Sequence, residues 1–73
     1  MPDAAQGLTL WVVYEHPKDF PDEFVARRFV GDSATSDVLR APTLAKLRAQ
    51  LPPDLIYLPR DPSDDPVIVE SWI

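Results

Sequence analysis

The single histidine of this chain, His16, stands among Glu15, Asp19, Asp22 and Glu23. An imidazole oriented by a carboxylate is the commonest general base, so this is the first place where residue types could do chemistry. No nucleophile sits beside it in a motif, and a lone loop histidine is ordinarily a surface residue, so no catalytic residue is assigned. A second cluster, Asp61, Asp64 and Asp65, invites calcium. An EF-hand loop needs acids at alternating positions, a glycine at its sixth position and a glutamate at its twelfth. With prolines flanking it, the acidic run is better explained as a capped turn. One histidine and no cysteine cannot assemble the usual zinc sets. The two glycines, Gly7 and Gly31, build no phosphate-cradling loop. No metal or cofactor is therefore expected, and the chain is not expected to be an enzyme.

Arginines beside aromatics are the remaining chemistry. Arg27 and Arg28, with Trp11, Phe29 and Trp72, could stack and neutralise a single nucleic-acid strand, helped by Arg40 and Arg48. Arg27 opposite Trp11 would serve equally as a cation–π pair on a sheet surface. The net charge of −5 has the wrong sign for general nucleic-acid affinity. Its distribution is uneven. Acids dominate residues 1–23 and 61–73, while residues 24–60 hold Arg27, Arg28, Arg40, Lys46, Arg48 and Arg60. No apolar run approaches the ~20 residues of a membrane span. The short acidic start lacks the charged and apolar regions of a signal peptide. The expectation is a soluble, acidic, cytoplasmic protein with no membrane partner.

The elements that must position these residues begin with Leu8 to Tyr14, the longest run without charge, proline or glycine. Its β-branched and aromatic content predicts a strand covered on both faces. Residues 1–7 are expected to be a flexible tail, and 8–73 one small domain. His16-Pro17 closes the first strand. A proline-bearing loop leads to a second strand over Glu23 to Gly31, and the two form an antiparallel hairpin. Asp32 to Ser36 has the composition of a turn, and Val38 to Ala41 suits a brief extension. Thr43 is a good N-cap for one helix over Leu44 to Leu51, whose Leu44, Leu47 and Leu51 share a stripe. Leu55 to Leu58, hemmed by prolines, is a covering segment or a short edge strand. Val67 to Ile73 is the last strand. The predicted fold is α+β, in the order β-β-α-β. It has a three-stranded, mainly antiparallel sheet of spatial order 2-1-3 and one short helix on one face.

Placing Tyr14 opposite Phe24 assigns the faces. Leu8, Leu10, Val12, Tyr14, Phe24, Ala26, Arg28 and Val30 then share one face, with Val67, Val69 and Ile73. This is the more apolar face, and the helix is expected to cover it. The other face gathers Trp11, Val13, Val25, Arg27, Phe29, Ile68, Glu70 and Trp72, which become the candidate interaction face. A slip of one residue would exchange the sets.

The segments Trp-Val-Val-Tyr-Glu-His-Pro-Lys-Asp-Phe-Pro-Asp-Glu-Phe-Val-Ala-Arg (11–27) and Leu-Pro-Arg-Asp-Pro-Ser-Asp-Asp-Pro-Val-Ile-Val-Glu-Ser-Trp-Ile (58–73) carry a resemblance. The chain resembles a group of small bacterial and phage-encoded proteins of unknown function. The resemblance implies a small α+β fold and no activity, ligand or site residue. A small domain has little core to spare. The function expected is a non-enzymatic protein-interaction module, pairing with itself as a homodimer or with another protein, through the aromatic face or a sheet edge. A single-stranded nucleic-acid binder is the alternative, and a small enzyme centred on His16 the third.

Overall fold

A computed structural model describes residues 8–73; the tail expected over residues 1–7 lies outside them. Five strands form one antiparallel sheet: β1 (Thr9–Glu15), β2 (Phe24–Val30), β3 (Ser33–Ala41), β4 (Tyr57–Pro59) and β5 (Ile68–Trp72). Their spatial order is β3-β2-β1-β5-β4, so β1 is the middle strand. The only helix among the described residues is α1 (Leu44–Arg48). The expected three-stranded α+β sheet is therefore corrected to a mostly-β domain with five strands.

Two strands make the difference. Gly31 and Asp32 join β2 to β3 in a two-residue hairpin, because Val30 pairs with Ser33. Gly31 has φ of 60°, a conformation that costs glycine least and that tight hairpins require. Of the turn expected over Asp32 to Ser36, polar Ser33 to Ser36 forms strand instead, because β3 is an edge and has no apolar layer to match. β4 is a three-residue edge held by β5, with Tyr57 opposite Trp72. Its Pro59 needs no inward donor there.

The helix is also shorter than its apolar stripe suggests. Thr43 caps it, its Oγ1 accepting from the Lys46 N–H at 3.2 Å. After Arg48 the bonds tighten: Gln50 N–H donates to the Leu47 carbonyl and Leu51 N–H to that of Arg48. Pro52 follows, and a residue before proline avoids the α region, so the last turn closes with shorter-range bonds. Five helical residues are far too few to be stable alone. Packing holds α1: Leu47 is fully buried, and Leu44 and Leu51 flank it.

The register decides what Leu47 packs on. Trp11 lies opposite Arg28, Val13 opposite Ala26 and Glu15 opposite Phe24, one residue away from the expected pairing. The eight-residue connection between β1 and β2 is too long to dictate register through turn geometry. It is set by what fits beneath the helix. Ala26 and Ala41 are small and buried, and with Trp11, Val13 and Leu47 they form the core cluster. Phe24, Leu39, Leu55, Val69 and Trp72 pack around it. The helix thus roofs the Trp11–Val13 side, opposite to expectation.

A bulge in β5 shifts the second pairing. Val13 faces Glu70 but Tyr14 faces Ile68, leaving Val69 as the extra residue. Val69 and Glu70, though consecutive, then both serve the roofed side. Simple alternation fails there.

Leu47 is the one helix side chain that is fully buried, so Leu47→Ala should cost about 2–4 kcal/mol. Urea unfolding of the two proteins measures this; a loss within error of zero would mean that the helix does not anchor the core.

Candidate functional site

With the register known, the eight residues expected on one open face divide. Trp11, Val13, Glu70 and Trp72 belong to the roofed side, while Val25, Arg27, Phe29 and Ile68 lie on the other. Trp11 is 7% exposed and Val13 fully buried, so neither presents a surface. Tyr57 stands edge-on against Trp72, with ring centroids 5.4 Å apart. Of the Leu55–Leu58 segment expected to act as cover, Leu55 joins the roof and Tyr57 shields Trp72, but Ile56 and Leu58 are exposed.

Beneath the roof lies a charged group. The Glu70 side chain is 1% exposed, and Arg48 reaches it with a two-pronged grip: Nε donates to Oε2 at 2.9 Å and Nη2 to Oε1. The Trp72 indole N–H donates to Oε2 at 2.7 Å. Burial alone would raise the Glu70 carboxyl, but the bonds from Arg48 and Trp72, with the Arg48 charge, hold it below its ordinary value of 4.5. The same carboxylate holds the Arg48 guanidinium above its usual range. This group ties the end of α1 to β5, and its satisfied bonds give it a structural role.

The face without a roof has two ends. At one end, Phe29 lies opposite Leu10. Ile73 follows Trp72, the partner of Trp11, so alternation turns it to the Leu10 side, and it exchanges two backbone bonds with Ile56 at 2.7 and 3.0 Å. One residue along strand β4, alternation brings Leu58 beside Ser71 on this same side. Leu8 extends β1 by accepting from the Gly31 N–H. Of the five exposed large apolar residues among those described, Leu8, Ile56, Leu58 and Ile73 all fall on this face; Tyr57 alone does not. Sequence reasoning placed Leu8, Leu10 and Ile73 under the helix and gave Ile56 and Leu58 no face. The signal for them was the alternation Ile56–Leu58 against Leu55–Tyr57, legible once β4 is recognised as a strand.

At the other end the β1–β2 connection returns over the sheet. Asp19 pairs with Arg27, Glu23 pairs with Arg40 at 2.9 Å, and the Arg40 guanidinium lies 4.3 Å from the centre of the Phe20 ring. Val25, between Tyr14 and Arg40 in the register, is fully buried beneath this layer. The cation–π partner is thus Phe20 with Arg40, whereas Trp11 faces Arg28 rather than Arg27. Arg28 is paired with Asp37 at 2.5 Å.

A cleft of about 470 Å³ opens beside this layer. Tyr14, His16, Lys18, Arg27 and Asp65 supply its polar lining, and Pro17 and Val67 its apolar wall. His16, at φ 50°, turns the chain out of β1. Its N–H donates to the Glu23 carbonyl, and Glu15 N–H donates to that of Val67, drawing the β4–β5 loop alongside. The His16 ring packs edge-on against Phe24 at 5.3 Å. Burial pushes the Tyr14 phenol up, with Arg27 opposing and Asp65 adding to the rise.

The acidic loop is a set of turn caps. Asp61 Oδ1 accepts from the N–H and hydroxyl of Ser63, and Asp65 Oδ1 from the Val67 N–H. Those bonds from Ser63 lower the Asp61 carboxyl. No cluster suited to a metal ion occurs among the described residues, and no helix there is long and apolar enough to cross a membrane.

No family model, no curated protein and no solved structure matches this chain.

Two outcomes test the Glu70 group. Its folded-state carboxyl is depressed, so the stability it contributes is present above about pH 4.5 and lost as pH falls through the folded value. Glu70→Gln should flatten the urea midpoint below that pH relative to the parent. Arg48→Met leaves the carboxylate without its guanidinium. It should cost about 2 kcal/mol at pH 7, at the lower end for a buried pair because half-exposed Arg48 lets water replace it. A parent midpoint that is level from pH 7 to pH 3 would contradict the assignment.

Proposed function

We propose that this protein is a non-enzymatic interaction module that pairs with a second copy of itself through the helix-free sheet face. The observation that carries the proposal is the gathering of Leu8, Ile56, Leu58 and Ile73, all exposed, around Leu10 and Phe29 on one side of the sheet. Sheets complement one another face to face at about 10 Å separation, and a two-fold axis brings the same patch from each copy together.

The edges are poorer candidates. β3 breaks its ladder between Arg27 and Phe29, where Thr35 to Asp37 bulge opposite Arg28, and β4 is three residues ending in proline. Bulges, short strands and prolines are the means by which edges are kept from pairing. Strands about 4.8 Å apart make the apolar patch roughly 20 by 15 Å, or about 300 Å² in projection. With its rim it gives a total burial of about 1,000 Å² per dimer, at the weak end of specific association.

Chemistry favours this reading over nucleic acid. Arg27, Arg28, Arg40 and Arg48 are each already paired with a carboxylate, which offsets the positive charge that a phosphate backbone would seek. Of the three expected stacking aromatics, Trp11 is buried and Trp72 lies on the roofed side, apart from Phe29. A His16-centred enzyme lacks a serine or threonine among the residues of its cleft. An anionic membrane would repel a chain of charge −5.

Sedimentation equilibrium across concentrations tests the proposal, with a dissociation constant expected on the order of 100 µM. Two copies of charge −5 repel, so raising salt should tighten the dimer, whereas nucleic-acid binding weakens with salt. Ile56→Lys, at a site 65% exposed, should weaken association at least about tenfold with an unchanged urea midpoint. A monomer at about 1 mM, whether the face is then bare or covered by residues 1–7, overturns the proposal.

A further inference from the structure

The cleft at the charged end of the sheet belongs to no part of the proposed dimer patch. Its polar groups come from four places in the chain: Tyr14 from β1, His16 and Lys18 from the following connection, Arg27 from β2 and Asp65 from the loop before β5. Donors outnumber acceptors there. Lys18 holds no carboxylate among the described residues, in contrast to the four arginines bound to acids. Arg27 gives one terminal nitrogen to Asp19 and keeps its other N–H groups. Tyr14 stays a neutral hydroxyl donor well past neutral pH, since burial raises its phenol. Against them stand Asp65, the one carboxylate of the lining, with one oxygen already taken by the Val67 N–H at 3.0 Å, and Asp19 behind Arg27. Pro17 and Val67 add an apolar wall. A pocket with a few convergent donors and an apolar side is the usual form of a small-molecule site.

We infer that this cleft binds a small organic anion, with its carboxylate or phosphate group between Lys18, Tyr14 and Arg27 and its apolar body against Pro17 and Val67. Lys18 supplies the charge and Tyr14 a directed hydrogen bond. Asp65 closes the far side and limits affinity by repulsion.

The test is an amide NMR titration at pH 7 with benzoate and phenyl phosphate. Acetate and inorganic phosphate serve as bare headgroups, and sodium chloride is the control for ionic strength. It uses the Ile56→Lys protein at low concentration, so that self-association is suppressed. Saturable shifts should centre on the amides of Tyr14, His16, Lys18 and Val67, with each apolar anion tighter than its bare headgroup; the tighter of benzoate and phenyl phosphate identifies the headgroup. Lys18→Gln, at an exposed position, should weaken binding about fivefold. Asp65→Asn keeps an oxygen for the Val67 N–H while removing the repelling charge, and should tighten binding about threefold. Shifts that chloride reproduces, shifts that fail to saturate, or two variants that do not move in opposite directions overturn the inference.

Discussion

One pairing, Val13 opposite Ala26, governs this domain. A five-residue helix can shelter only one side of a sheet, and it needs a shallow place to lie. Ala26 and Ala41 provide it, and Leu47 fills the space above them. Once Val13 faces Ala26, alternation along β1 puts Trp11 into the core and turns Leu10 and Val12 away from it. A slip of one residue would bring Val25 or Arg27, each larger than alanine, to the place of Ala26 beneath Leu47. The register is therefore specified by the room that the two alanines leave under the helix.

The same pairing explains why the best-buried charge in the molecule is on the roofed side. Glu70 lies opposite Val13, so it is carried under the roof, and the structure supplies it with a guanidinium and an indole N–H. The bulge at Val69 makes this arrangement compatible with a packed core, because Val69 fills the apolar space that Glu70 does not. The helix is thus fastened in two ways, by Leu47 from above the sheet and by Arg48 at its end. For so short a helix the second fastening matters, since propensity contributes almost nothing to its stability.

Much of this architecture was legible in the chain. Leu8 to Tyr14 announced a strand with neighbours on both sides, His16-Pro17 announced its end, and Thr43 with Leu44 and Leu47 announced a capped helix, although one expected to run on to Leu51. Two kinds of information were hidden. Edge strands carry little hydrophobic signal, so Asp32 to Ser36 looked like loop, although Gly31-Asp32 is a hairpin pair in its own right. Bulges break the two-residue period, so β5 could not be assigned to faces by counting. The candidate face inherited both errors, together with the one-residue slip in the β1–β2 pairing. Four of its eight residues fell on the wrong side, and Ile56, Leu58 and Leu8 were not included.

The helix-free face is not uniform, and its division follows from charge placement along the chain. Where β1 meets the acidic connection after His16, Arg27 and Arg40 find Asp19 and Glu23, and the connection is drawn down over Val25. Where β1 begins, its neighbours are Phe29, Ile73 and Ile56, none of which can recruit a polar cover. The charged end therefore closes over itself and leaves only a cleft, while the apolar end is bare among the described residues. With both sheet edges blunted by a bulge and a proline, that end is a broad surface, among the described residues, on which another molecule would gain by removing apolar area from water. Packing at the helix and ion pairing at the loop, each a local solution, together decide where that surface lies.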